Sequence, residues 1–294
     1  MNVLLLYNPR SGTRSFATHL DLIIDRFQSK GLHVIPYRMN DMQLLEAYMQ
    51  TLDFSTFKKI VISGGDGTVH QVVNLMMRLG IDCPIALFPS GTANDFAQYF
   101  EIPRDIEGMI EVALSEETMK CDLGKVNEQY FINVASFGNL VDISQRVNEQ
   151  FKNVLGVLAY YIKGIEEIPK LRTLHARIEA DGVVIDEPIF FVLVMNGKSA
   201  GGFRKLAPYS DISDGMMDVL VFKKCPVLEL MPLIIQVWNG EHPKSDYIQY
   251  MQAKNINVST PEPITSDLDG ETGPELPLHI EVIPGALKVT VLKK

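Results

Sequence analysis

Three short polar stretches in the first third of the chain hold residue types suited to gripping a phosphate. They are Asn8-Pro9-Arg10-Ser11-Gly12, Gly64-Gly65-Asp66-Gly67-Thr68 and Ser90-Gly91-Thr92-Ala93-Asn94-Asp95. A glycine loop running into a helix presents free backbone N–H groups at the helix N-terminus, where anions bind well. Gly65, Gly67 and Thr68 supply backbone and hydroxyl donors, and Arg10 can hold a phosphate oxygen. Thr92 and Asn94 can hydrogen-bond a phosphate or a ribose. Asp66 is a natural magnesium carboxylate, and Asp95 can stand near such an ion through water. Each residue also has a plainer use. Glycine serves any tight turn, an exposed arginine is commonly just solvated, Asp66 can be the N-cap of the helix that follows, and Ser90, Thr92, Asn94 and Asp95 all favour a helix start.

Two later acidic turns complete the list. Ser266–Thr272, SDLDGET, brings Asp267, Asp269 and Glu271 together before β structure resumes. A carboxylate there can accept a hydroxyl proton, or simply be a solvated turn. Asp211–Asp218, DISDGMMD, alternates acids around a glycine but lacks the spacing and final glutamate of an EF-hand. Phosphate positioning, a metal to offset charge and a residue to take the acceptor's proton are what phosphoryl transfer requires.

The elements that must position these residues follow from periodicity. NVLLLYN, HVIPYR, KKIVIS and CPIALFP read as strands, and FATHLDLIIDRF and DMQLLEAYMQTL as amphipathic helices between them. Val69, Val72, Val73 and Met76 recur at helical spacing after the glycine cluster. This alternation predicts a three-layer α/β domain over 1–122, with a parallel sheet and helices on both faces. Ligands of such sheets sit beyond the carboxyl ends of the strands, where all three polar loops fall. From 123 to 294 the texture changes to strand runs, with an Asp181-Gly182 hairpin turn. Two helical stretches interrupt them, VNEQFKNVLGVLAYYIKGIEEI and PVLELMPLIIQVW. This predicts a β-sandwich-like second domain, its C-terminus able to return to the first.

Composition narrows the classes. The 294 residues are 46% hydrophobic and 21% charged, enough for two globular domains. No apolar run reaches membrane-spanning length, and the start MNVLLLYNPRSG reads as structure rather than a signal peptide. Cys83, Cys121 and Cys225 are odd in number and far apart, so they read as packed thiols in a reducing cytoplasm. A formal charge of -9 argues against nucleic acid as a partner.

The ordered set of motifs resembles the diacylglycerol kinase catalytic-domain family, in its bacterial lipid kinase branch. The resemblance runs over nearly the whole chain: GGDGT at Gly64–Thr68, GTANDFA at Gly91–Ala97, Asn196-Gly197 with the following GGF, DGMMDVLV at Asp214–Val221 and DGE at Asp269–Glu271. GGDGT alone also occurs in NAD kinases, but GTANDFA and a late DGE point away from them. The resemblance implies an ATP- and magnesium-dependent kinase of lipid metabolism. It would phosphorylate diacylglycerol or a related lipid, working peripherally at a membrane surface from the cytoplasm, as a homodimer. It implies Glu271 as general base, facing the GGDGT loop across a cleft between the domains, with Asp66 at the catalytic magnesium. It implies a structural magnesium on the Asp214 side chain and the carbonyls of Asp211 and Met216. ATP falls to Asn8, Pro9, Arg10, Ser11, Gly12, Gly65, Asp66, Gly67, Thr68, Thr92 and Asn94.

The chain departs from the family pattern in places. His70 and Gln71 stand where bacterial members usually have Asn-Glu, and Arg38 stands where a threonine is common. Other readings therefore stay open: a kinase for a sphingoid base, phosphatidylglycerol or a soluble polyol, or a nucleotide-binding regulator without turnover. FKNVLGVLAYYIKGI is either a core helix or the wall of a lipid pocket, and Phe203-Arg204-Lys205 either an interfacial contact or an ordinary loop.

Overall fold

The computed structural model describes residues 1–12, 16–138 and 173–293. The stretch 151–165, with its two readings as core helix or lipid wall, lies outside them. The chain divides into two compact units, Met1–Asp122 with Gly285–Lys294, and Leu123–Pro284.

In the first unit strand and helix alternate. The order is β1 (Asn2–Tyr7), α1 (Leu20–Gln28), β2 (His33–Arg38), α2 (Met42–Gln50), β3 (Phe57–Gly64), α3 (Asp66–Leu79), β4 (Ile85–Pro89), α4 (Asp95–Tyr99) and α5 (Ile106–Leu114). The strands form a parallel sheet in the order β2-β1-β3-β4. The inner strands are buried on both faces, which is why LLL, IVI and IALF run without polar interruption. β2 lies at the edge, half exposed, and tolerates Pro36 there. Val3, Leu5, Val61, Ala86 and Phe88 pack against Ile23 and Phe27 of α1 and Met109, Ile110 and Ala113 of α5. The alternate residues Leu4, Leu6, Ile60, Ile62 and Leu87 point to the other face and are equally buried. Asp41 caps α2 by accepting from the N–H of Gln43 at 2.7 Å, and Asp105 caps α5 through Gly108 at 2.8 Å. The left-handed Gly80 closes α3.

The chain leaves this unit along β5 (Thr118–Val126). The second unit holds β6 (Gln129–Phe131), β7 (Val134–Gly138), β8 (Leu174–Ala180), β9 (Val183–Met195), β10 (Met217–Lys223), α6 (Val227–Asn239), β11 (Ile248–Ala253), β12 (Asn255–Ser259), β13 (Thr265–Leu268), β14 (Glu271–Glu275) and most of β15 (Leu278–Thr290). Pairing within it is antiparallel. The long strand β9 organises the layers. Its first half pairs with β8, and its second half runs between β7 and β10. Val192 and Val194 face a core with Phe137, Ile178, Val219 and Ile256. Leu193 and Met195 face a second core closed by Leu230, Leu233 and Val237 of α6. Asp181 and Gly182 have φ of 44° and 91° and form the two-residue β8–β9 turn. The chain re-enters the first unit along β15, where the Gly285 N–H donates to the buried Asp122 carboxylate at 2.7 Å and Val289 pairs in parallel with Ile85 of β4. All three cysteines are free and buried.

Candidate active site

The sheet order reverses at β1 and β3, with β2 on one side and β4 on the other, and the three polar loops leave the carboxyl ends of β1, β3 and β4. They interlock through backbone. The Asn8 N–H donates to the Ser63 carbonyl at 2.9 Å, and the Ser90 N–H to the Gly64 carbonyl at 3.0 Å. The Asn8 side chain ties two loops, donating to Thr68 Oγ1 at 3.0 Å and accepting from the Arg10 N–H at 2.9 Å. Ser11 turns back on Asn8 through its N–H, and Pro9 and Arg10 ride on that turn. Two glycines are required by close approach. A Cβ on Gly91 would lie 2.5 Å from the Gly65 Cα, and one on Gly12, whose φ is +52°, would lie 2.0 Å from the Ser90 carbonyl oxygen. Gly64, Gly65, Asp66, Pro89 and Asn94 line a narrow recess between these loops.

Asp66 is not the N-cap residue of its own helix. Gly65 is the N-cap of α3, and Asp66, the first helical residue, accepts from the Phe96 N–H of α4 at 3.1 Å through Oδ1. Capping is thus real but directed at a neighbour. Asp95, buried, is the first residue of α4, so two carboxylates open adjacent helices. Asn94 has a left-handed backbone, and its amide closes its own loop, accepting from the Gly91 N–H and donating to the Gly91 carbonyl, both at 2.8 Å. That makes Asn94 a brace for the loop first. Gly67 and the buried Thr68 lie in the first turn of α3, and Thr92 is exposed. His70 is buried, with Asn74 donating to its carbonyl at 3.0 Å, so it belongs to helix packing. Arg38 hydrogen-bonds Asn40.

In the second unit the late acidic turn is built by two of its three acids. Asp269, with φ +54°, accepts from the N–H groups of Ile132, Asn133 and Val134 at 2.7, 2.9 and 2.9 Å. Asp267 accepts from the Gly270 N–H at 2.9 Å. Asn196 donates to the Ile132 carbonyl and Asn133 to the Ser199 carbonyl, fastening the same backbone to the Asn196-Gly197 motif. Glu271 opens β14, exposed, and its side chain makes no hydrogen bond among the described residues. Asp269, read in the sequence as one acid of this turn, is its organiser, and Asn133 is a partner that local sequence reasoning missed.

The DISDGMMD turn closes on itself. Asp211 accepts from the N–H and hydroxyl of Ser213, and Asp214 Oδ1 accepts from the Met216 N–H at 2.9 Å. Asp218 behind it is buried and accepts from the Tyr250 hydroxyl. Burial pushes its carboxyl up to about 6, against the opposing pull of the hydrogen bonds from Tyr250 and Gln252. Among the described residues no three His, Cys, Asp or Glu side chains gather as a metal cluster.

Comparison with known proteins agrees with this arrangement. Residues 2–126 match the diacylglycerol kinase catalytic domain, and residues 133–291 match the YegS C-terminal NAD kinase beta sandwich-like domain. The chain is 35% identical to a diacylglycerol kinase of Bacillus subtilis (strain 168), covering 93% of this chain and 90% of the relative. It is 31% identical to one of Staphylococcus carnosus (strain TM300), covering 95% and 93%. A crystal structure of a diacylglycerol kinase from Bacillus anthracis str. Sterne superposes with a TM-score of 0.80 at 27% identity, over 99% of this chain and 97% of that one. With residues 2–126 matched by a kinase catalytic-domain model, the phosphate-suited loops at the switch point of the first sheet belong to a phosphotransferase. The chain belongs to the diacylglycerol kinase family. It is a kinase, with ATP as its phosphoryl donor.

Proposed function

We propose that the chain transfers the γ-phosphoryl group of ATP to the hydroxyl of diacylglycerol at a membrane surface. The observation that carries this reading is the interlocked trio of loops at the β1/β3 switch point, in a chain of this family. Glycines at points of backbone contact let N–H groups stand where phosphate oxygens can take them. Asn8 to Gly12, Gly65 to Thr68 and the Thr92–Asn94 turn hold the nucleotide. Asn94 and Asn8 brace the loops, and Arg10 and Thr92, both at the surface, reach the phosphates.

The donor set suits magnesium. Asp66 and Asp95 are hard oxygen ligands at the heads of adjacent helices, the chemistry this ion takes. Asp66 would hold it, with Asp95 acting through water. When bound, it neutralises charge on the transferring phosphoryl group. A second, structural magnesium on Asp214, with the carbonyls of Asp211 and Met216, rests on the family resemblance alone, because that turn is already closed by its own hydrogen bonds.

Glu271 is the base. It takes the proton of the acceptor hydroxyl as that oxygen bonds the γ-phosphorus and ADP leaves with the bridging oxygen. Asp269 and Asp267 hold its turn and keep the exposed carboxylate apart from structural duty.

The test is direct. The protein is incubated with ATP labelled at the γ-position, magnesium and a panel of acceptors: diacylglycerol, a sphingoid base, phosphatidylglycerol and glycerol. Label should enter the organic phase with diacylglycerol, as phosphatidic acid. Label on another acceptor alone, or none on any despite ATP binding, would overturn the assignment.

A further inference from the structure

Helix α6 is apolar on both sides. Leu230, Leu233 and Val237 bury themselves in the second core. The opposite face carries Leu228, Pro232, Ile235, Trp238 and Asn239, without a charge. Leu228, Ile235 and Trp238 are 88%, 57% and 60% exposed. A surface helix ordinarily sets charged residues on its outer face, and a contiguous exposed apolar surface marks an interaction site. Glu229, the charged residue within the helix, follows Leu228 and so lies about 100° round the axis from it.

What surrounds the stripe says what it meets. The Trp238 ring packs edge-on against Phe203 with centroids 6.3 Å apart. Phe203 is followed by Arg204 and Lys205, both exposed. Lys205 lies against the C-cap of α6, where a Cβ added to Gly240 would come 2.9 Å from its Cβ. Lys224 precedes the helix and Lys244 follows it, against Glu229, Glu241 and Asp246. In a chain of formal charge -9 this is a local cationic excess, and its Arg204-Lys205 pair sits at the tryptophan end. Tryptophan beside lysine and arginine, at the end of a charge-free apolar helix face, fits the headgroup region of an anionic bilayer. Among the described residues no helix is long and apolar enough to cross a membrane.

We infer that the outward face of α6, with Phe203, Arg204 and Lys205, docks the protein on an anionic bilayer. The reason for docking rests on the lipid kinase reading proposed above, but the surface can be tested apart from it.

Trp238 is the one tryptophan in the sequence, so its fluorescence reports on this face alone. The full chain is titrated with vesicles of phosphatidylglycerol and phosphatidylcholine. Emission should shift to the blue and be quenched by lipids brominated in their acyl chains. Leu228→Ser with Ile235→Ser should abolish the shift, and Arg204→Gln and Lys205→Gln should each weaken binding about fivefold at low salt. All these variants should phosphorylate a dispersed short-chain diacylglycerol at the parent rate while losing activity on vesicle-borne diacylglycerol. Emission unmoved by vesicles would overturn the proposal. So would a parent dimer that Ile235→Arg splits into monomers without loss of vesicle binding, because the face would then belong to a second copy. Vesicle binding through α6 without phosphorylation of any diacylglycerol would support the surface and overturn the acceptor assignment instead.

Discussion

The three interlocked polar loops of the first unit and the acidic turn of the second are built in opposite ways. In the first, the candidate functional residues are also the scaffold. Asp66 caps α4, Asn94 closes its own loop, and Asn8 ties its loop to Thr68. In the second, the scaffold falls to neighbours: Asp269 gathers three backbone N–H groups and Asp267 a fourth, and Glu271 is left exposed. A site that positions phosphates gains from rigidity, since its groups need only be in place. A proton acceptor has to change charge during the reaction, which sits poorly with a structural hydrogen bond. Substitutions in the first unit should therefore mix stability with activity, and a substitution at Glu271 should not.

The largest effect expected is at Asp66. Asp66→Asn keeps an oxygen for the Phe96 N–H but loses the charge, so turnover should fall by about 10³-fold or more with little change in melting temperature. Asp66→Ala should add about 1 kcal/mol of destabilisation from the lost cap. An Asn variant retaining most activity would leave capping as the whole role of this residue. Asp269→Ala strands three N–H groups and should cost on the order of 3 kcal/mol in a urea titration. Asp269→Asn, which tolerates the left-handed backbone and keeps one acceptor, should cost about 1 kcal/mol. If both leave stability untouched, the division of labour in that turn is wrong. Gly91→Ala should cost about 2 kcal/mol and weaken ATP binding, because its Cβ meets the Gly65 backbone. Unchanged ATP affinity would show that the interlock does not shape the site.

An effect confined to stability and read only against pH concerns Lys59, a buried brace in the first unit. Its ammonium donates to the carbonyls of Ala113 and Ser115, both at 2.7 Å, at the end of α5. Burial lowers its pKa from 10.5 to about 8. Between those values the unfolded chain keeps a proton that the folded one has lost, so this group makes stability rise with pH across that window, by on the order of 1–2 kcal/mol. Urea midpoints measured from pH 8 to 10.5 should show the rise in the parent and not in Lys59→Met. Parallel curves would refute it.

What the sequence made legible was what short-range chemistry determines. The inner strands of the first sheet, buried on both faces, read as unbroken apolar runs, and the loops at their ends followed from glycine and polar punctuation. Asp181-Gly182 was readable because a two-residue turn needs left-handed backbone at both positions. Long-range structure was not readable. The strand-rich stretch from Thr118 to Gly138 breaks into β5, β6 and β7, while Leu278–Thr290 is the single strand β15, continuous through Pro284 and Gly285. Helix α5 is nine residues long and too short for a clear period, yet it covers one face of the first sheet. The reach of Asp269 to Ile132, Asn133 and Val134 spans most of the second unit's sequence, and that of Asp66 to Phe96 joins two loops. No local pattern encodes either.

The measurement that bears most directly on the account is single-turnover phosphorylation of diacylglycerol by Glu271→Gln, beside its ATP affinity and melting temperature. The substitution keeps shape and hydrogen-bonding capacity but cannot accept the proton. The account predicts a chemical step slower by about 10²–10⁴-fold, with ATP binding and melting temperature as in the parent. An unchanged rate where chemistry is limiting, or a slow rate accompanied by a marked loss of stability, would contradict it.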